Sequence, residues 1–299
     1  MIRAVTDSND RPARPGRPDT QETSELHALR KRQPELADAI DMHIELLAVQ
    51  RRVRARIPSP SFDLDANIMR RQRDEARPLL RFEQIPLEPT DLRLVLRQTA
   101  EILRRFDALE ETEYQGMQTL DRDAGLVALV GEWYREKAER PFAVSPGSGS
   151  RSGQPTVDNG QRNHVLTLAL RPFLSRCAEV LQPRTELAIW SHSHCPLCGG
   201  EPELAVIMPT AERHLICGRC ALQWKFDPLS CPYCQNDDRS AISSFATSDG
   251  QYRVYACNVC KRYLKAYDGR HASRPVMPMV DSVATLPLDA AAMQRGYVG

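Results

Sequence analysis

The 299-residue chain has almost no excess charge of either sign: 40 Lys and Arg face 39 Asp and Glu, a formal net charge of +1. A protein that grips nucleic acid or anionic lipid needs a visible basic excess, so neither partner is expected. Long hydrophobic runs are missing as well. The longest in the second half is Leu204-Ala-Val-Ile-Met208, far short of the roughly 18 apolar residues of a membrane helix, and no membrane insertion is expected. The first 20 residues are rich in Arg, Asp and Pro and hold no apolar h-region, which predicts no secretory signal and a cytoplasmic protein. Lys is scarce, 5 of the 40 basic residues against 35 Arg, an imbalance that carries no mechanism of its own. Catalytic signatures are lacking too: there is no P-loop, Gly-x-Gly-x-x-Gly, Gly-x-Ser-x-Gly or His-Glu-x-x-His. The expectation is a protein that is not an enzyme and takes no small-molecule substrate.

What the chain does have is cysteine. Eight of its 9 cysteines form four Cys-x-x-Cys pairs: Cys195 and Cys198, Cys217 and Cys220, Cys231 and Cys234, Cys257 and Cys260. In a reducing compartment clustered cysteines read as metal ligands before disulfides. Eighteen residues separate the first pair from the second, ten the second from the third, and twenty-two the third from the fourth. A hairpin of about 15 to 20 residues can return a second pair to an ion held by a first, whereas ten residues are short for a hairpin with its own strands. The spacing therefore assigns one site to Cys195, Cys198, Cys217 and Cys220, and another to Cys231, Cys234, Cys257 and Cys260, with cross-braced pairing as the alternative. A tetrahedron of four cysteine thiolates suits zinc, which would be a structural staple, and rubredoxin-type iron, which could cycle between two states.

The remaining candidates have simpler readings. His192 and His194 precede Cys195 and could replace a thiolate, but eight cysteines already complete two sites, so they read as surface or turn histidines. Cys177 lies on an apolar helical stretch and reads as core. Trp190, Trp224, Tyr233, Tyr252, Tyr255 and Tyr263 interleave with the Cys-x-x-Cys pairs, each expected to form a tight metal-binding knuckle; aromatics can stack on bases, yet in so small a metal region they read first as packing. From Arg184 onward 12 basic residues face 11 acidic ones, and Lys261, Arg262 and Lys265 form the single basic concentration, read as a solvated face.

Along the chain, residues 1–24 read as a disordered lead and 25–183 as an all-α domain. Its helices are expected from Pro34 towards Pro58, over 64–77, from a cap at Thr90 or Asp91 to Phe106, around Leu126 to Tyr134, and over His164 to Leu181, with an exposed loop at Pro141 to Asn163. Residues 184–226 and 227–273 read as two rubredoxin-like or zinc-ribbon-like metal modules of four cysteines each. Strands are expected at Leu204 to Met208, Ala241 to Phe245 and Tyr252 to Tyr255, and residues 274–299 form a tail with a short helix from Asp289 to Arg295.

The order Trp190-Ser-His-Ser-His-Cys-Pro-Leu-Cys-Gly199, Arg213-His-Leu-Ile-Cys-Gly-Arg-Cys220, Trp224, Cys231-Pro-Tyr-Cys234, Cys257-Asn-Val-Cys260 and Tyr263-Leu-Lys265 resembles FdhE, the formate dehydrogenase accessory family. The tail Asp281-Ser-Val-Ala-Thr-Leu-Pro-Leu-Asp289, closing at Gly296-Tyr297, is similar to that family's ending, and Pro78-Leu-Leu80 echoes a family element. Departures are Ser282, where a second acid is usual, Gln223 before Trp224, and a long polar loop from Ser145 to Asn163. The resemblance implies a cytoplasmic maturation factor that binds the catalytic subunit of formate dehydrogenase, a molybdenum or tungsten enzyme, before twin-arginine export. It also implies a helical N-terminal domain and two rubredoxin-like modules, with iron held by the eight paired cysteines. Competing readings are a double zinc-ribbon nucleic-acid adaptor and a small electron-transfer protein.

Overall fold

Thr20 opens the first helix: its side chain accepts the Thr23 amide, an N-cap that satisfies one of the free amides of the first turn. Helix α1 (Gln21–Arg32) thus begins inside the stretch expected to be a disordered lead. The computed structural model describes residues 20–62, 67, 69–70, 74–119, 123–138, 159–184, 190–270 and 272–299. The rest of the lead, half of the helix expected over 64–77 and most of the loop from Pro141 lie outside the described residues.

The helical half continues with α2 (Ala37–Arg54), entered through a 3-10 turn at Pro34–Leu36, then α3 (Pro89–Arg105), α4 (Glu111–Gln118), α5 (Asp123–Ala138) and α6 (Asn159–Leu181). Helix α3 starts at Pro89, ahead of the expected Thr90 or Asp91 cap, because proline at the first helical position needs no amide partner and its φ is already helical. Leu92, Val95, Leu96, Ile102 and Leu103 of α3 are buried at helical spacing against α2 and α6.

The second half is one six-stranded sheet made of β1 (Pro202–Ile207), β2 (Arg213–Cys217), β3 (Gln223–Phe226), β4 (Ile242–Ala246), β5 (Tyr252–Cys257) and β6 (Tyr263–Asp268). The strand order is β3-β2-β1-β6-β5-β4. Each three-stranded antiparallel unit is a meander, and the units are joined by parallel pairing of β1 with β6, Leu204 opposite Lys265 and Val206 opposite Tyr267. The two expected modules are therefore fused edge to edge. Both central strands are covered on both faces: Ala205, Ile207, Leu264 and Ala266 join the core shared with the helical half. Leu204, Val206, Tyr263 and Tyr267 meet a second core built with α1 and α2.

That second core corrects the reading of residues 274–299 as a tail with one short helix. They form α7 (Pro278–Ala284) and α8 (Leu286–Gln294), each with proline in its first turn, and Val280, Val283, Leu288 and Ala292 are buried against the sheet and α1. Two charge arrangements hold them there. Asp281, fully buried, accepts from Tyr252 Oη at 2.7 Å, Arg274 Nη2 at 2.6 Å and the Met277 amide at 2.6 Å. Asp289 accepts from Tyr263 Oη and Lys265 Nζ, both at 2.7 Å. Lys265 is thus an interior cation, and Arg262 is bonded to Glu201 at 2.9 Å and stacked on Tyr233 at 3.7 Å. The expected solvated basic face is corrected accordingly, because two of its three charges are spent on partners within the fold.

Candidate metal centres

Each Cys-x-x-Cys pair folds into the same knuckle. In the first, the Gly199 amide donates to Cys195 O at 3.0 Å and the Cys195 amide to Gly200 O at 2.9 Å. The pattern repeats with Ala221 and Leu222 at Cys217, Gln235 and Asn236 at Cys231, and Lys261 and Arg262 at Cys257. The residue after the second cysteine is left-handed in every knuckle, with φ of 69° at Gly199, 58° at Ala221, 60° at Gln235 and 59° at Lys261. For the three non-glycine residues that conformation costs about 1–2 kcal/mol each, a strain that persists where the surroundings impose the turn.

Strand direction then brings pairs together. A knuckle precedes β1 and β4 and another closes β2 and β5, and because β1 and β6 run parallel both assemblies stand at the same end of the sheet. The sulfurs of Cys195, Cys198, Cys217 and Cys220 form one group and those of Cys231, Cys234, Cys257 and Cys260 another, each within 4.8 Å. The sequential pairing expected from the spacing is the one adopted, not the cross-brace. Opposed sulfurs are 3.5 Å apart in the first group (Cys195 to Cys220, Cys198 to Cys217) and 3.7 Å in the second (Cys231 to Cys260, Cys234 to Cys257). A disulfide needs about 2.05 Å. Four sulfurs set tetrahedrally at about 2.3 Å from one ion stand about 3.8 Å apart, so both groups have the dimensions of a four-thiolate metal site.

Electrostatics agree with the geometry. Burial pushes the Cys195 and Cys220 thiols well above the usual thiol range; at Cys217 burial opposes ionisation, but hydrogen bonds from Cys195, Cys198 and Cys220 outweigh it and pull the pKa down. In the second group a hydrogen bond from Cys260 draws Cys231 down to about 5 while burial lifts Cys234 to about 11. One thiol ionises at its neighbours' expense, and a bound cation is what permits four thiolates at such separations.

The groups differ in setting. Cys195 and Cys198 are 0% exposed and Cys217 and Cys220 2%, whereas in the second group Cys234 and Cys260 are only half-buried. The helical half seals the first. The Leu79 and Leu80 amides donate to Pro196 O and Leu197 O, both at 2.9 Å, and Tyr134 Oη of α5 donates to Leu80 O at 2.7 Å. His194 is not a surface histidine: it is 1% exposed, its Nε2 lies 2.9 Å from Ala76 O, and burial lowers its pKa to about 4. Neither His194 nor His192 belongs to a ligand group. Trp190, Trp224, Tyr252 and Tyr263 are buried, as the packing reading expects, and Cys177 is a core residue whose thiol burial pushes up to about 12.

Two residues at the first centre escaped the sequence reading. A Cβ on Gly200 would lie 2.8 Å from Cys217 Sγ, so only glycine fits. Arg219, 6% exposed, extends its guanidinium to 3.8 Å over the Trp133 ring of α5. The only sequence signals were their places inside the cysteine motifs; Pro78-Leu-Leu80 likewise showed only as a short echo.

The FdhE central-domain family model matches residues 194–227, which contain the whole first group. Curated FdhE homologues align over part of the chain at comparable identity: 33% over 159 residues for that of Shewanella oneidensis, 52% of each chain, and 29% over 134 residues for that of Haemophilus ducreyi, 44% of each. The fold of the FdhE protein crystal structure from Pseudomonas aeruginosa is similar over 93% of this chain and 91% of that one, at a TM-score of 0.55 and 20% identity. The chain is similar to FdhE proteins in its first cysteine group and in its fold. Its alignments span about half the length of the curated FdhE relatives. The departure at Ser282 has a local explanation: its hydroxyl donates to Glu203 at 2.9 Å, a place where the second acid would meet a like charge. Among the described residues no helix is long and apolar enough to cross a membrane.

Proposed function

We propose that this chain is an accessory factor for formate dehydrogenase, a non-catalytic cytoplasmic protein that binds the enzyme's catalytic subunit before export. Similarity to FdhE proteins carries that reading. The two four-cysteine groups at one end of the sheet support it further, as a rigid surface offered to an immature subunit. We assign the eight paired cysteines as ligands, one ion to each group, with rubredoxin-type iron as the leading metal and zinc as the alternative. Four thiolates leave no coordination position for an activated water, which supports a structural or one-electron role over Lewis-acid catalysis. Residues 25–183 are the helical unit, and 184–226 and 227–273 the two metal units.

Three measurements test the proposal. Metal analysis with visible absorption of the anaerobically purified chain is expected to give two ions and the red colour of ferric four-thiolate iron; a colourless two-zinc protein would reassign the metal. Co-purification from a native extract is expected to recover the formate dehydrogenase catalytic subunit. Deletion that leaves formate oxidation unchanged would overturn the accessory role.

A further inference from the structure

The two cysteine groups share a knuckle geometry and differ in almost everything around it. Around the first, Gly199 is pressed against α5 and the segment before Leu79: a Cβ there would stand 2.9 Å from Ala138 Cα and 2.9 Å from Pro78 Cγ. Arg219 lies between the two Cys217 and Cys220 ligands in sequence and bridges outward. Its amide lies 3.4 Å from Cys217 Sγ, its Nη2 donates to Trp133 O at 3.4 Å, and its guanidinium stacks on the Trp133 ring. A stacked, desolvated guanidinium holds its aromatic partner more firmly than a surface pair does. Around the second group, among the described residues, the hydrogen bonds of the knuckles stay within the sheet half. Tyr233 Oη donates to Pro202 O at 3.2 Å, Arg213 Nη2 donates to Ser230 O at 2.5 Å, and Tyr297 Oη donates to Asn258 Oδ1 at 2.7 Å. Val259, between Cys257 and Cys260, is 61% exposed.

We propose that the centres are unequal: the first is a closed clamp in which Arg219, as a positioning residue, ties α5 to the Cys217 knuckle and retains the ion, and the second is the centre that exchanges its ion with solution. This rests on the reading that each group holds one ion. A chelator can remove an ion only as sulfurs become accessible. At the second centre Cys234 and Cys260 already are in part. At the first, α5 and residues 76–80 must first lift away.

The test uses the full chain loaded with two zinc ions and challenged with the chromogenic chelator 4-(2-pyridylazo)resorcinol. Two phases of equal amplitude are expected, separated by about tenfold in rate or more. Hydrogen exchange in the same samples assigns them without any cysteine variant: amides 257–262 lose protection with the fast phase, amides 217–222 with the slow one. Arg219→Ala is expected to speed the slow phase by about tenfold, and to raise exchange in residues 130–138, while leaving the fast phase unchanged. Trp133→Ala is expected to do the same, and the double variant to do no more than either alone, which a merely additive structural loss would not give. A single phase for both ions, a fast phase assigned to amides 217–222, or an Arg219→Ala slow phase at the original rate would each overturn the inference alone. A zinc content below two would overturn the metal reading beneath it.

Discussion

Gln50 of α2 donates its side-chain amide to the carbonyl of Leu168 in α6 at 2.8 Å, in a buried setting. Leu168 is the residue four before Pro172, which lies inside α6 and has no amide hydrogen to close that turn. The glutamine thus replaces the missing helical bond and fastens two helices of the bundle in doing so.

Gln50→Leu keeps the packing volume and removes the donor. The Leu168 carbonyl is then left buried without its partner, at a cost of about 1–3 kcal/mol. Urea denaturation is expected to show a lower midpoint with an unchanged slope, and an unshifted midpoint would rule out the compensating role.

Gly200→Ala is expected to empty the first centre alone. The new methyl would stand 2.8 Å from Cys217 Sγ and 2.9 Å from Arg219 Cδ, both held in place by other contacts. Metal analysis should fall from two ions per chain to one. Gly125→Ala, in α5 with nothing within 4 Å of the added Cβ, is the control and should retain both ions.

Asp281→Asn removes the charge that neutralises Arg274, whose side chain is 12% exposed. Breaking one side of such a pair costs about 3–5 kcal/mol. Glu25, 3.6 Å from Arg274 Nε, stays to soften the loss. A thermal midpoint lowered by several degrees, with raised hydrogen exchange in α1 and α7, is the expected result; an unchanged midpoint would show that the pair does not hold α7.

His43 makes the helical half sensitive to acid. Burial lowers its pKa below the ordinary 6.5, the Ala39 carbonyl raises it, and the Arg171 charge lowers it further; Nδ1 lies 2.7 Å from that carbonyl. His164 is shifted the same way, again mainly by burial. The unfolded chain therefore takes up protons first as pH falls through about 6.5, and stability contributed by the neutral imidazoles is lost below that point. Urea midpoints measured at about pH 7.5 and 5.5 should fall with acidification, and His43→Gln should flatten the fall. An equal slope in the variant would remove His43 from the account.

The knuckles, the assignment of pairs to centres, and the longer helices were legible in the sequence because each depends on a few neighbouring residues. A Cys-x-x-Cys turn is closed by bonds between Cys195 and Gly199 or Gly200, and Leu92 to Leu103 carries its helical period within one segment. The docking of α7 and α8 was not legible. Residues 274–299 read as a tail with one short helix, and only the burial of Asp281 and Asp289 against Arg274 and Lys265 shows that the segments opened by Pro278 and Pro287 are docked helices. Lys265 was misread for the same reason, since an interior cation is recognised by its partner and not by its type.

The sequence by itself determined two four-cysteine groups, because loop length alone restricts which pair can return to which. Only the tertiary structure decided that the two units share one sheet through β1 and β6 and that the helical half closes over one centre and leaves the other partly open. The choice between strand edges, and between faces to cover, is made by segments far apart in the chain, such as Leu80 with Leu197 and Arg219 with Trp133, whose meeting no local pattern records.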